Sequence, residues 1–182
     1  MKFTLIVSGS GGQGVMSIGM SLASSAVEGG KHATFMPLYG PEQRGGSAKC
    51  TVILSDEEII SPLPTRSDGL IAMNDTSFKK FAGELRPGGV MIRDVNRVTS
   101  PMKREDVTLI DIPADDLAVE LGSAQVSNII LVGAMLGYSG MMEPEIFMKS
   151  LEEKFAAKGQ KVVELNRSAL YKGVEIGKSA KN

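Results

Sequence analysis

A glycine-rich stretch near the start of the chain has the spacing that binds phosphate in many nucleotide-binding proteins. Gly9, Gly11 and Gly14 fit the pattern G-x-G-x-x-G, with Gly12 and Gln13 between them. An apolar run precedes the pattern and an amphipathic segment follows it, which is the strand–loop–helix context that the motif requires. Glycine leaves room for a phosphate, and free N–H groups at a helix start attract an anion. This stretch, called the glycine loop below, is the first candidate site.

The ribose-binding half of a dinucleotide site is missing. Such a site needs an acidic residue about 20 residues further on, at the end of the second strand, to hold the ribose hydroxyls. Here that strand ends in MPLYGPEQ; Glu42 lies past a Gly-Pro turn, and Glu28 comes before the strand. The glycines therefore indicate a phosphate site without its ribose partner, or only tight packing of a helix against a sheet. Both interpretations stay open.

The stretch YGPEQRGG is the second candidate site. It has a glycine turn at either end and, between them, an acidic, an amide and a basic residue. It comprises Tyr39, Gly40, Pro41, Glu42, Gln43, Arg44, Gly45 and Gly46. We expect this tight loop to lie near the glycine loop, because ligands bind at the carboxyl ends of strands in open α/β sheets. The guanidinium of Arg44 is suited to bind a phosphate or a carboxylate. The alternative is a surface pair of Arg44 with Glu42, which would contribute little.

The rest of the residue inventory excludes several chemistries. One cysteine, Cys50, and one histidine, His32, exclude an internal disulfide and the usual multi-cysteine or multi-histidine metal sites. We expect Cys50 to be a packing residue within a strand and His32 to be a surface or structural residue, so no catalytic residue is assigned. No Walker-type P-loop or nucleophile elbow is present.

Composition and charge point to an ordinary globular protein of the cytoplasm. The chain has 182 residues, 42% of them hydrophobic, and a formal net charge of −1. That charge predicts no binding of nucleic acid or of an anionic membrane surface. The first apolar run is too short for a membrane span or a signal sequence, so no membrane association is expected.

The pattern of elements predicts one domain, residues 1–182, with an open, Rossmann-like, largely parallel α/β sheet flanked by helices and followed by a C-terminal helical segment. SAKCTVILSD alternates in polarity and is expected at the edge of the sheet. The helix DTSFKKFAGEL is expected to begin with an aspartate or threonine cap. The predicted strands are KFTLIVSG, HATFMPLYG, SAKCTVILSD, SDGLIAMN, PGGVMIRDV and VTLIDIP.

The helical segments include one stretch with two interpretations. The predicted helices are VMSIGMSLASSAVEGG, with Val15, Ile18, Leu22 and Val27 at helical spacing, DTSFKKFAGEL, ADDLAVELGSAQVSNIILVGAMLGYSG, broken near Gly122, EPEIFMKSLEEKFAAKG and KVVELNRSALYKGVEIGKSAKN. In NIILVGAMLGYSGMM, the methionines Met135, Met141 and Met142 could form a docking surface, through which an isolated copy could homodimerise. The alternative, which we favour, is an ordinary core helix.

Five motifs in one order carry a resemblance to a known family. They are GSGGQGV, YGPEQRGG, VILSDEEIISP, SDGLIAMN and KFAGELRPGG, spread over roughly Lys2 to Leu136. Together they closely resemble the gamma subunit, or gamma-type domain, of the 2-oxoacid:ferredoxin (acceptor) oxidoreductases. The glycine pattern is weak alone, but its combination with Y-G-P-E-x-R-G-G is distinctive.

The resemblance implies part of an enzyme that converts a 2-oxo acid and coenzyme A to acyl-CoA and CO2. Its family uses thiamine diphosphate with Mg²⁺ and iron–sulfur clusters, and it reduces ferredoxin or flavodoxin. This chain has neither a cysteine cluster nor a G-D-G…N pattern, so these groups are expected on alpha and beta partner subunits, or on a delta subunit where the complex has one. An isolated copy is expected to be inactive.

For this chain the resemblance implies assembly and the positioning of coenzyme A. The glycine loop and the Tyr39–Gly46 loop would form one concave edge, with Arg44 on a coenzyme A phosphate or a partner carboxylate. The rival hypothesis is that both loops touch only partner subunits. The 2-oxo acid stays open, with 2-oxoglutarate the best guess over pyruvate, branched-chain 2-oxo acids and indolepyruvate. A stand-alone dinucleotide-binding protein is the alternative from another class.

Overall fold

The computed structural model describes residues 1–39 and 47–181, which form six strands and six α-helices. The strands are β1 (Lys2–Ser10), β2 (His32–Tyr39), β3 (Ser47–Ser55), β4 (Ser67–Ala72), β5 (Leu85–Asp94) and β6 (Thr108–Ile112). The helices are α1 (Val15–Glu28), α2 (Asp75–Phe81), α3 (Ala114–Leu121), α4 (Ser127–Ser139), α5 (Pro144–Phe155) and α6 (Gln160–Ser179). The predicted break near Gly122 separates α3 from a short 3₁₀ turn that leads into α4.

The six strands form one sheet in the order β2-β3-β1-β4-β5-β6. β1, β4, β5 and β6 are parallel neighbours, whereas β3 runs antiparallel to both β1 and β2. The predicted largely parallel α/β fold is therefore confirmed. The expected edge position of SAKCTVILSD is wrong: β3 is internal, and β2 is the edge strand. Pro37 in β2 fits this place, because proline is found in sheets almost only on edge strands.

Alternate residues of the central strands enter two separate apolar cores. Leu5 and Val7 of β1 pack in the core that holds α1 and α3 to α6. Ile6 lies in the opposite core with Phe78 and Phe81, the aromatic residues of α2. Complete burial of a leucine or isoleucine side chain contributes about 1.5–3 kcal/mol, so the central strands are fixed from both sides.

Helices α4 and α6 pack with their backbones in direct contact along four glycines. A side-chain carbon on Gly173 would lie 2.0 Å from the Ile130 oxygen, and one on Gly133 would lie 2.2 Å from the Leu170 oxygen. Gly137 and Gly177 lie equally close to the facing backbone. The two pairs are spaced by four residues, which places each pair on one face of its helix. We call this contact the glycine seam.

The glycine seam and the adjoining core occupy the stretch that was a candidate docking surface. Met135 and Met141 are 0% exposed, and Met142 is 2% exposed. The core-helix interpretation is therefore confirmed. The methionine docking surface is wrong, and so is the route to homodimerisation through it, because these side chains fill the core of their own chain.

The predictions for single residues had mixed outcomes. Cys50 is buried against α1, and its Sγ lies 3.4 Å from the Val15 oxygen, so it is a packing residue as expected. His32 is exposed. Val27 is 58% exposed, because Ala26 takes the inward position of the last helical turn. The cap of α2 is Asn74, whose side chain accepts from the Ser77 N–H, rather than the expected aspartate or threonine.

Candidate functional site

The Gln13 side chain cross-links the glycine loop to the neighbouring elements. Its Oε1 accepts from the backbone N–H of Ser10 at 2.7 Å, and its Nε2 donates to the Met73 carbonyl, just after β4, at 2.9 Å. Asn128 at the start of α4 donates to the Gln13 carbonyl at 3.1 Å. Gln13 was predicted as a site residue; its amide makes hydrogen bonds within the protein and holds the loop in place, and its contact with a ligand stays a prediction.

The glycines of the loop differ in what requires them. Gly9 faces Gln13, Met73 and Val15, and a side-chain carbon there would lie within 3.1 Å of each. Gly12 and Gly14 have φ of 90° and 80°, a left-handed conformation that other residues rarely adopt.

Gly11 has no such requirement. Its φ lies outside the left-handed region, and a side-chain carbon would meet no atom within 4 Å. Nothing within the described chain calls for glycine at this position, so its backbone is open to the close approach of a ligand.

A polar pocket of about 350 Å³ opens directly in front of the loop. Its walls come from residues 10–13 after β1, Met73 after β4, Asp94 and Arg97 at the end of β5, and residues 124–131 at the start of α4. β1 connects to β2 on one side of the sheet, whereas β4 and β5 extend on the other side. The pocket thus lies outside the carboxyl ends of the strands at the reversal of strand order, where open α/β sheets bind ligands. Its volume suits a small-molecule site.

The N-terminus of α1 is left without a side-chain cap at this pocket. Among residues 1–39 and 47–181, no side chain accepts from its first turn, and that turn holds no acidic residue. The N-terminus of α3 shows the contrast: the Asn96 Oδ1 accepts from the Asp115 and Asp116 N–H groups, and the Asp94 Oδ1 accepts from the Ala114 N–H. An uncapped helix N-terminus beside a glycine loop attracts an anion.

Asp94 is a buried carboxylate with one oxygen engaged. The residue is 1% exposed, and its Oδ1 accepts from the backbone N–H groups of Asn96 at 3.1 Å and Ala114 at 3.2 Å. Within the described part of the chain, the partner of the Oδ2 is the Arg97 guanidinium, whose Nε lies 3.7 Å away. Burial raises the pKa of the Asp94 carboxyl above its usual range, against the two amide hydrogen bonds.

Arg97 is held by its Nε, which donates to the Asp115 Oδ2 at 2.6 Å. This hydrogen bond raises the pKa of the guanidinium, so the charge is permanent. Its two terminal nitrogens donate to no group in residues 1–39 and 47–181. The side chain is 46% exposed and lines the pocket. Because Nε is fixed and the terminal nitrogens are free, Arg97 presents an oriented fork of donors.

The structure brings one of the two predicted sites into the pocket. Tyr39 pairs with Ala48, which in turn pairs with Gly9, so β2 ends at the same edge of the sheet as the glycine loop. β3 separates them, which places the two strand ends about 10 Å apart at ordinary strand spacing. Gly40, Pro41, Glu42, Arg44, Gly45 and Gly46 lie outside the described residues.

Sequence reasoning missed Asp94 and Arg97. The available signal was an acid and an arginine, RDVNR, at the end of a predicted strand. A dinucleotide site has its acid at the end of the second strand, and the sequence does not show that β5 lies beside β4 and ends at the same edge.

Other chemistries find no support within the described part of the chain. It holds no group of three or more histidine, cysteine or acidic residues placed to bind a metal ion. Burial raises the pKa of the Cys50 thiol to about 12, which leaves no thiolate for nucleophilic chemistry near neutral pH. None of the helices described is both long and apolar enough to cross a membrane.

Comparison with known proteins decides the family. Residues 4–176 match the pyruvate ferredoxin/flavodoxin oxidoreductase family. The chain belongs to this family. The resemblance seen in the sequence motifs is thereby confirmed.

Relatives and solved structures agree with this assignment. The ketoisovalerate oxidoreductase subunit VorA of Methanothermobacter marburgensis is 37% identical over 171 residues, which are 93% of this chain and 35% of the relative, so the chain spans about a third of that protein. The gamma subunit of a keto/oxoacid ferredoxin oxidoreductase from Geobacter sulfurreducens is 31% identical, with a TM-score of 0.86 over 100% of this chain and 99% of the other.

A third similar protein was solved with ligands. It is the 2-oxoglutarate:ferredoxin oxidoreductase from Magnetococcus marinus, with 2-oxoglutarate, coenzyme A and succinyl-CoA bound. It is 26% identical, with a TM-score of 0.90 over 98% of this chain and 31% of the other.

Proposed function

We propose that this chain is the gamma subunit of a multi-subunit 2-oxoacid:ferredoxin oxidoreductase, which converts a 2-oxo acid and coenzyme A to acyl-CoA and CO2. The observation that carries the proposal is the likeness to a separate gamma subunit over 99% of that subunit's length. The residue inventory fits a non-autonomous part, because the sequence has one cysteine and one histidine. Thiamine diphosphate, Mg²⁺ and iron–sulfur clusters then belong to alpha, beta and possible delta subunits, and ferredoxin or flavodoxin accepts the electrons in the cytoplasm.

Within the complex, this chain positions the nucleotide end of coenzyme A. The pocket in front of the glycine loop has the donors for a phosphate: the open edge at Gly11 and the uncapped start of α1. Coenzyme A supplies the thiol that accepts the acyl group, whereas these residues only bind and orient its phosphates. We further propose that Arg44, from the loop beyond Tyr39, contacts a coenzyme A phosphate or a partner carboxylate.

The 2-oxo acid is proposed as 2-oxoglutarate, because a 2-oxoglutarate enzyme is among the similar structures. A branched-chain 2-oxo acid is the main competitor, since a ketoisovalerate enzyme subunit has the higher identity of 37%. Pyruvate and indolepyruvate are further candidate substrates, and an assay of the whole complex with all four 2-oxo acids distinguishes them.

Isolation of the native complex tests the subunit role. An affinity tag on this chain is expected to co-purify larger subunits, and native mass spectrometry is expected to give a defined stoichiometry. The complex should be brown and reduce ferredoxin with a 2-oxo acid and coenzyme A, and the separated chain should do neither. A chain that purifies alone under these conditions and binds NAD(P) or FAD by calorimetry would support the stand-alone dinucleotide protein that its glycine loop also allows.

The role of Arg44 needs a separate measurement in the complex. Arg44→Ala is expected to raise the KM for coenzyme A or to weaken assembly. Arg86→Ala is the matched control, because Arg86 pairs with Asp68 on the surface at the start of β5, away from the carboxyl edge. If assembly and the KM for coenzyme A both match the wild type in Arg44→Ala, the contact hypothesis fails.

A further inference from the structure

We propose that Asp94 and Arg97 recognise a phosphorylated ribose, with the Asp94 Oδ2 accepting a ribose hydroxyl and the Arg97 fork binding the phosphate beside it. The inference rests on the proposed function, because coenzyme A has such a ribose: a free 2′-hydroxyl next to a 3′-phosphate. The pair would supply the ribose contact that the end of β2 lacks, from the opposite side of the glycine loop.

The first step of the argument is the free oxygen of Asp94. A carboxylate in an almost fully buried residue needs hydrogen bonds to both oxygens. The Oδ1 has two amide donors, whereas the Oδ2 has no hydrogen bond from the described residues, and Asp94 is one of the residues that line the pocket. A hydroxyl of a ligand would satisfy this acceptor.

The second step is the fixed geometry of Arg97 relative to Asp94. The Arg97 N–H donates to the Asp94 carbonyl at 3.1 Å, and the Val98 N–H donates to the same oxygen at 2.8 Å. Asp115, which holds the Arg97 Nε, belongs to the first turn of α3. Carboxylate and guanidinium are therefore held side by side before any ligand arrives, which lowers the entropy cost of binding.

The third step is the balance of charge. Asp94 and Asp115 together carry two negative charges against one positive charge on Arg97, so the terminal nitrogens of Arg97 are the groups of this wall that can donate to a phosphate. A ligand that offers a hydroxyl donor to one carboxylate and a phosphate to the guanidinium satisfies both groups. Charge-assisted hydrogen bonds of this kind are about twice as strong as neutral ones.

The competing explanation is structural. Asp94 caps α3, and Arg97 pairs with both aspartates, so the pair could serve only to join β5 to α3. That role uses the Asp94 Oδ1 and the Arg97 Nε, whereas nucleotide recognition uses the Oδ2 and the terminal nitrogens. Substitutions and ligands can separate the two roles.

The experiment measures KM in the whole complex with coenzyme A, with 3′-dephospho-coenzyme A and with pantetheine, which lacks the nucleotide. Arg97→Ala is expected to raise the KM for coenzyme A about tenfold, or about 1.4 kcal/mol, with less than a twofold change for the dephospho form. Asp94→Asn keeps an acceptor for the two amides and is expected to raise the KM about fivefold for both nucleotides. Neither variant should alter the KM for pantetheine, and Arg86→Ala should alter none of the three.

The outcomes separate this inference from the proposed function. Equal effects of Arg97→Ala on coenzyme A and its dephospho form, or no effect at all, overturn the phosphate assignment. If Arg97→Ala prevents assembly, Arg97→Lys takes its place, because it keeps a cation but loses the fork, and the same ratio of KM values decides. Gly11→Ala tests the pocket itself. If Gly11→Ala raises the KM for coenzyme A while the Asp94 and Arg97 variants do not, coenzyme A binds in the pocket but the ribose assignment is overturned. If none of the three variants changes this KM, the proposal that this pocket positions coenzyme A is refuted.

Discussion

The glycine seam and the glycine loop use the same residue for opposite reasons. In the seam, Gly133, Gly137, Gly173 and Gly177 are required by the facing helix backbone, which comes within 2.0–2.3 Å of where a side-chain carbon would be. In the loop, Gly11 faces empty space. A glycine that the fold already explains says nothing about ligands, whereas Gly11, which the fold does not explain, lines the pocket and leaves its backbone open to one.

The two regions differ in their polar groups in the same way. Around the seam, the chain packs side chains and backbone against itself and leaves apolar residues such as Met135 fully buried. At the pocket, the Asp94 Oδ2, the terminal nitrogens of Arg97 and the start of α1 take part in no side-chain hydrogen bond among the described residues. The first region uses its groups within the chain, whereas the second leaves polar groups open to a ligand.

The largest effect on stability is expected when a side chain is introduced into the glycine seam. Gly173→Ala should lower the free energy of unfolding by about 3 kcal/mol, because backbone of α4 cannot move aside as a flexible side chain could. Chemical denaturation of the subunit measures it. Gly83→Ala is the reference, since a side-chain carbon there meets no atom within 4 Å; equal stabilities of the two variants would show that the seam is not tightly packed.

A smaller effect is expected at Gly14, a loop glycine that the fold does require. Gly14→Ala should lower the free energy of unfolding by about 1–2 kcal/mol because the residue has a left-handed conformation. A further loss is expected because the added carbon would lie 2.6 Å from the Asn128 amide nitrogen. Gly30→Ala has a similar φ of 82° in open space and isolates the conformational part. If Gly30→Ala costs as much as Gly14→Ala in thermal unfolding, the Asn128 contact is irrelevant.

The pH dependence of stability tests whether the Cys50 thiol is shielded from water. Its pKa of about 12 lies above the ordinary value of about 9, so the protonated thiol stabilises the fold at neutral pH and that stability is lost as pH rises between these values. We expect a loss of about 1 kcal/mol between pH 8 and pH 10. The Cys50→Ala protein lacks this titration, and the difference between the two pH profiles of denaturation measures it. Parallel profiles would place the thiol in contact with water.

The smallest effect on stability is expected at Gly11. Gly11→Ala should change the free energy of unfolding by less than about 0.5 kcal/mol yet raise the KM for coenzyme A in the complex. Paired denaturation and kinetic measurements sharpen the comparison. A marked loss of stability would mean that the fold does explain Gly11 after all, and the loop would then resemble the seam.

Much of this architecture could be predicted because hydrophobic periodicity and glycine turns are local signals. The six strands and the break near Gly122 follow from them. The order of strands is not local: β3 has alternating polarity, but pairing on both sides made it internal. Asn74 was missed as a cap because Asp75 and Thr76 beside it have the same preference for that position.

The candidate site was half predictable for the same reason. The glycine loop is contiguous in sequence, so its spacing reveals it. Asp94 and Arg97 lie some eighty residues further on, and only the parallel pairing of β1, β4 and β5 brings them to the same edge. The seam was equally hidden, since Gly133 and Gly173 acquire meaning only when α4 meets α6.

Pro37 in the edge strand β2 bears on how neighbouring subunits can attach. Its nitrogen carries no hydrogen, so another strand that tried to extend the sheet here would meet a proline at the sixth of the eight residues of β2. Assembly by adding a strand at this edge is thereby disfavoured. The proposed contacts with other subunits are then expected to use side chains and loops instead of this edge of the sheet.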